Sequence, residues 1–124
     1  MLLGNGALEG TKVLKPETVE VAFKNQIGDL DFPAEIPTAD PGTTHSVNVG
    51  PGFKFGYGLQ LNTQDVPGMH KAWSGAWGGL CNTYFWVDRT TGIAGSIYSQ
   101  FLPFVAQEAL DIYVNFEQAL YASL

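Results

Sequence analysis

Few side chains in this sequence are equipped for chemistry, and their spacing narrows what they could do. Trp77-Gly78-Gly79 sets an indole beside two residues without side chains, a place suited to close backbone approach by a ligand or another chain segment. Cys81 follows, but no histidine lies beside it in sequence, so it reads as a small buried hydrophobe rather than a nucleophile. His45 and His70 lack a third ligand at a metal-binding spacing; no metal site and no cofactor is expected. His70, in the loop before Trp77, is placed to line a substrate pocket. Asp88 and Arg89 read as solvated turn residues, and Tyr84 and Tyr98 as sheet packing.

The elements that must hold these residues follow from patterning. Leu80 to Val87 and Ile93 to Tyr98 are β-prone runs joined by Asp88-Arg89-Thr90-Thr91-Gly92, a hairpin turn whose Gly92 tolerates positive φ. Lys71 to Trp77 reads as a strand or the approach to one. Phe53 to Asn62 alternates apolar and polar residues, the mark of one half-buried strand. Pro16 to Gln26 predicts a helix: Pro16 suits its first turn, Val19, Ala22 and Phe23 form a stripe, and Gly28 stops it. Met1-Leu2-Leu3 before Gly4 reads as the last turn of a helix. Gly28 to Gly52 has no period, contains Pro33, Pro37, Pro41 and Pro51, and reads as a surface excursion on something larger. Phe104 to Ala122 predicts a long helix with Val105, Ala109, Ile112, Phe116 and Leu120 on its apolar face. The order implies an α+β fold: an antiparallel sheet of about three to four strands with the N-terminal and C-terminal helices on one face.

Composition excludes several roles. The chain has 124 residues, enough for one domain. Its net charge is −6 and its six basic residues are scattered singly, which argues against nucleic acid and against an anionic membrane surface. No stretch approaches the roughly 18 apolar residues of a membrane span. With one cysteine there is no internal disulfide, and the default expectation is a soluble, cytoplasmic protein.

Several of these segments together resemble the serine β-lactamase-like superfamily. Met1 to Gly10 followed by Val13-Leu14-Lys15-Pro16-Glu17-Thr18-Val19 is similar to its "MLL-x-G-G…L-S-P-x-T-V" segment, and Phe55-Gly56-Tyr57-Gly58-Leu59 to its "GLGF" strand. Trp77-Gly78-Gly79, then Thr83 to Asp88, resembles the third active-site motif in the form used by the esterase and transesterase branch, related to class C β-lactamases. Gly92-Ile93-Ala94-Gly95, Ser99-Gln100 and Leu102-Pro103 continue the match. The resemblance implies a partial β-lactamase-like fold and acyl-enzyme chemistry, in which a serine of an S-x-x-K motif attacks an ester or amide carbonyl. It makes Trp77, Gly78 and Gly79 one wall of the substrate site and the Leu80 N–H an oxyanion donor. Trp77 in place of lysine removes the cation that holds a β-lactam carboxylate, which favours neutral esters or acyl thioesters.

The departure from that pattern is as informative. Ser-x-x-Lys does not occur: Ser46, Ser74, Ser96 and Ser99 are each followed three residues later by Val49, Trp77, Ser99 and Leu102. No Tyr-x-Asn precedes the third motif: Tyr113-Val114-Asn115 lies after it, as do Tyr98-Ser99-Gln100 and Tyr121-Ala122-Ser123, which fit only a loose form. Residues 1–124 therefore read as the C-terminal third of such a hydrolase, a single incomplete domain, inactive alone because nucleophile and base would lie upstream. A small ester or acyl group is the expected substrate once that region is supplied. The alternative is a non-enzymatic binding or assembly module, or a truncated product, that self-associates through an exposed sheet edge.

Overall fold

The computed structural model describes residues 1–124. In chain order it contains β1 (Ala7–Leu8), β2 (Thr11–Lys12), α1 (Pro16–Ala22), β3 (Glu35–Ile36), β4 (Val47–Asn48), β5 (Phe53–Phe55), β6 (Gln60–Asn62), β7 (Gly75–Gly79), β8 (Thr83–Asp88), β9 (Ile93–Ile97) and α2 (Gln107–Ala122). The α+β class holds. Two short hairpins, β1–β2 and β3–β4, accompany one antiparallel five-stranded sheet in the order β5-β6-β7-β8-β9. No helix is long and apolar enough to cross a membrane.

The sheet has five strands where three to four were expected. The extra one arises because Phe53 to Asn62 is not a single strand. It folds back on itself, with Phe53 opposite Asn62 and Phe55 opposite Gln60. Gly56 makes the bend possible: a Cβ there would lie 2.1 Å from the Ala22 carbonyl oxygen. Alternation alone does not reveal a hairpin whose two arms share one period.

The helices also depart from expectation: they lie on opposite faces, not on one. Successive residues of β8 point to opposite sides. Phe85 and Val87 join Val19 of α1, and Phe23 just beyond its end, with Leu59 and Leu61. Tyr84 and Trp86 instead meet Tyr113 of α2, with ring centroids 5.3 and 5.6 Å apart, and Trp86 also meets Phe116 at 5.9 Å. The unbroken apolar run Tyr84-Phe85-Trp86-Val87 is what a strand covered on both sides requires.

Both helices are shorter than their apolar patterns. α1 ends at Ala22 because its carbonyl accepts the Tyr57 N–H, while the Gln26 N–H goes to the Phe55 carbonyl. α2 begins at Gln107 because Phe104 is bonded sideways, its N–H to Thr43 and its carbonyl to the His45 N–H. The buried stripe of α2 is turned from the expected one: Ala109 and Glu117 are buried, whereas Ile112 is 59% exposed. At the N-terminus no helix forms, but the N–H groups of Gly4 and Gly6 both reach the Met1 carbonyl at 3.1 Å, the bonding of a helix end.

Trp86 is fully buried, and its cross-strand partner is Gly95. The indole lies over the glycine, where a Cβ would sit 2.1 Å from a ring carbon. Gly95→Ala is therefore expected to lower stability by about 3 kcal/mol, measured by urea unfolding. An unchanged midpoint would show that the indole can move aside.

Candidate active-site cleft

The open part of β7 positions the site. β6 pairs with β7 only through Gln60 opposite Ala76 and Leu61 opposite Gly75. β8 pairs with β7 along its whole length, from Gly75 to Gly79. Trp77, Gly78 and Gly79 thus run on beyond β6 with no strand along their outer edge. The Trp77 indole meets Phe55 at 5.1 Å and Phe32 at 6.0 Å, both edge-on, and Phe32 stacks on Phe55 at 5.7 Å. These three rings close the gap where β5 and β6 end.

Beside this edge is a cavity of about 290 Å³. Its floor is the α2-facing side of the sheet, with Gln60, Ala76, Gly78 and Tyr84. Its walls are Phe32, Ile36 and Val47 to Val49 from the 28–52 segment, Phe104 and Val105 from the lead-in to α2, and Leu110 and Tyr113 of α2. The segment expected as a surface excursion instead forms half of this enclosure. It is tied down by β3–β4 and by the Thr44–Phe104 bridge. On the other face of β7, a cavity of about 360 Å³ is lined by Trp77, Gly78, Gly79, Phe85, Ser96 and Tyr98 among others. A third, of about 510 Å³, continues the first along α2 toward Met69 and His70.

The residues named from sequence are placed as follows. Trp77 and Gly78 line both cavities beside β7, and Gly79 lines the second. Leu80 lies in the β7–β8 turn, 55% exposed, beyond the residues that line either cavity. His70 is buried; it lines the third cavity, and its ring points to α2. Its Nδ1 lies 2.6 Å from Glu117 Oε1, and its backbone N–H donates to the same oxygen at 3.0 Å. Cys81 is a free cysteine in the same turn as Leu80. The structure brings together no group of three or more residues able to hold a metal.

Asn82 is the residue that sequence reasoning missed. It is fully buried, at φ +59°, in the turn that ends β7. Its Nδ2 donates to the carbonyls of Phe101 and Pro103 at 3.0 and 2.8 Å. Its Oδ1 accepts the Tyr84 hydroxyl at 3.0 Å and the Ala106 N–H at 3.2 Å. One side chain thus joins the turn after Trp77-Gly78-Gly79 to the segment that walls the cleft and starts α2. The signal was an asparagine in a tight turn, where a left-handed backbone is tolerated. Burial raises the Tyr84 phenol's pKa, which keeps its proton available for this bond.

Asp88 and Arg89 are not solvated turn residues. Arg89 bonds the Asn5 Oδ1 at 2.8 Å, pairs with Glu20, and stands 5.2 Å over the Phe23 ring. Asp88 is fully buried. It accepts the N–H groups of Lys71, Thr90 and Thr91 at 3.0, 2.9 and 3.1 Å, and the Tyr121 hydroxyl at 2.9 Å. The carboxylate therefore ties the loop before β7 and the β8–β9 turn to α2. Glu117 likewise lies on the buried side of α2, in the i, i+4 row of Tyr113, and anchors His70.

Comparison with known proteins bears on the fold. Neither a family model nor a curated protein matches the chain. Solved structures do. The chain has part of a serine β-lactamase-like fold, the superfamily its motifs resemble. Similar structures include those of simvastatin synthase (LovD) from Aspergillus terreus. The unliganded enzyme is 21% identical with a TM-score of 0.72, over 98% of this chain and 32% of that chain. Its unliganded selenomethionyl derivative is 22% identical with a TM-score of 0.74, over 98% and 31%. The LovD9 mutant is 23% identical with a TM-score of 0.72, over 98% and 32%. The chain spans about a third of the length of the structures it matches.

Asp88 makes the anchoring of this frame depend on pH. Burial raises its carboxyl pKa, but the bonds from Lys71, Thr91 and Tyr121 outweigh that and hold it below its ordinary 3.8. A carboxyl lowered on folding contributes stability that is complete above its unfolded value and is lost as pH falls through the folded one. Thermal melts of the wild type are thus expected to fall as pH drops from about 5 to about 2, and Asp88→Asn to flatten part of that slope. The variant should also lose about 2 kcal/mol at neutral pH. Equal acid slopes in the two proteins would contradict the assignment.

Proposed function

We propose that residues 1–124 contribute the back wall and the oxyanion arm of an acyl-transfer pocket, and that the attacking serine and its base belong to polypeptide outside these residues. Trp77, Gly78 and Gly79 act as the third active-site motif, and the Leu80 N–H, in the exposed turn that follows the same strand, serves the developing oxyanion. The substrate is a neutral carboxylic ester or acyl thioester: no lysine or arginine lines the cavity beside Trp77, so a carboxylate would enter it unpaired. The observation that carries this reading is the run of β7 beyond β6. It leaves the indole and Gly78 lining an apolar cavity on one face of the strand and, with Gly79, a second cavity on the other.

In this arrangement Trp77 packs against the acyl or alcohol part of the ester. Gly78 and Gly79 keep the edge free of side chains, so that the carbonyl can approach the backbone. Tyr84 does not serve as a base, since its hydroxyl is committed to Asn82. Without the nucleophile the oxyanion donor has no intermediate to stabilise, and losing even one member of such a catalytic set costs about 10⁴-fold in rate.

The test is hydrolysis of 4-nitrophenyl butyrate. The purified 124-residue chain should show no turnover above buffer. A longer chain, translated from the genomic sequence directly upstream and containing an in-frame Ser-x-x-Lys, should turn the ester over, and Trp77→Ala in that chain should slow it by tenfold or more. Turnover by the 124 residues alone, or upstream sequence without the motif, would overturn the proposal. The second outcome favours an assembly module instead, for which the observation is that β9 is paired on one side only. Such a module should sediment as a dimer or larger species.

A further inference from the structure

We propose that His70 makes the cavity along α2 a subsite for a hydroxyl group: its Nε2 accepts a hydrogen bond from an alcohol carried on the apolar body of the ester. The proposal rests on the acyl-pocket reading and names the substituent that pocket selects.

His70 is buried and lines the cavity of about 510 Å³ that continues the one beside Trp77. Glu117 fixes which of its ring nitrogens carries the proton. Glu117 Oε1 already accepts the His70 backbone N–H at 3.0 Å, so it acts as an acceptor, and Nδ1 at 2.6 Å is the donor to it. In the neutral ring a proton on Nδ1 leaves Nε2 with a lone pair. No hydrogen bond inside the protein uses Nε2, and, unlike Glu117 Oε2, it is not sealed from solvent. Gln60, which lines the same cavity, has the same polarity. Its Nε2 is sealed, so its open amide atom is the oxygen, a second acceptor.

The lining says which donor. Phe53, Met69, Leu110 and Val114 make the walls mostly apolar. A ligand that fills this space expels water and leaves Nε2 unpaired unless it brings a donor of its own. The amides of Asn48, Gln107 and Asn115 belong to exposed residues at the rim. No lysine or arginine is in the lining, and Asp111 is, so a carboxylate would be desolvated beside a like charge. An ammonium would give up its hydration for neutral acceptors and one carboxylate already bonded to Gln107. A hydroxyl brings the donor with no charge to desolvate. Its methyl ether keeps the oxygen and loses the donor. Discrimination of this type, by a polar group that one ligand satisfies and its analogue does not, exceeds what one added methylene gives.

The experiment titrates methyl 6-, 7- and 8-hydroxyoctanoate, each against its methyl ether, into the 124-residue chain by calorimetry at a pH of about 8. At least one alcohol is expected to bind about tenfold tighter than its ether. His70→Asn keeps an N–H for Glu117 but has no atom at the place of Nε2, and it should bring that ratio close to one. Nitrogen NMR of the labelled wild type gives a readout that needs no variant. His70 Nε2 should resonate as an unprotonated ring nitrogen and shift when the alcohol, but not the ether, is added. A protonated Nε2, equal affinities in the wild type, or a preference that survives in His70→Asn would overturn the hydroxyl subsite while leaving the acyl pocket in place. Binding of none of the esters would overturn the acyl-pocket reading, and the subsite with it.

Discussion

Four hydrogen bonds to one asparagine side chain hold this molecule's cleft together. Asn82 stands where the end of β7, the segment before α2 and the strand β8 come within reach of one another. Its amide satisfies two carbonyls, one N–H and one hydroxyl. Those groups sit in an irregular stretch with no ladder of its own, and buried backbone groups must find partners somewhere. A smaller side chain would leave all four unsatisfied at once. The Ser99 hydroxyl, bonded to the Cys81 and Asn82 carbonyls at 2.7 and 2.6 Å, reinforces the same turn from β9's side.

From that clamp the enclosure follows. Phe104 is held so that its N–H and carbonyl grip Thr43 and His45, and the 28–52 segment is drawn over the sheet. Phe32 then reaches Phe55 and Trp77, completing a wall that no regular element provides. The opposite end of the sheet is fixed differently, by two buried carboxylates: Asp88 accepts the N–H groups of Lys71, Thr90 and Thr91, and Glu117 that of His70. Apolar packing supplies the bulk of the cohesion, under α1 through Val19, Leu61 and Val87 and under α2 through Trp86. The polar clamps decide where the loops go.

The parts legible in the sequence were those written in a period. The β8–β9 hairpin, the two helices, the α+β class and the superfamily resemblance were all carried by patterned residues such as Trp77-Gly78-Gly79 and Tyr84 to Val87. Where tertiary bonds compete with local pattern, the pattern misleads. Ala22 and Phe104 lie within the expected helical spans, yet their backbone groups bond to Tyr57, Thr43 and His45, and the helices stop short. Phe53 to Asn62 alternates as a strand would, but Gly56 against the Ala22 carbonyl turns it into a hairpin. Asp88 is charged and so read as solvated, although it is fully buried, and the buried Glu117 was not singled out. Asn82 carried a turn signal, but nothing local reveals that its side chain would bridge to residues 19 to 24 positions away.

Hydrogen exchange on Asn82→Ala tests the clamp most directly. Amides of His45 and Phe104, protected in the wild type by the bonds between the 28–52 segment and the lead-in to α2, should exchange freely in the variant. Amides of the β8–β9 ladder should stay protected. If His45 and Phe104 exchange as slowly in Asn82→Ala as in the wild type, the cleft is held by something other than Asn82, and the structural basis given for it is wrong.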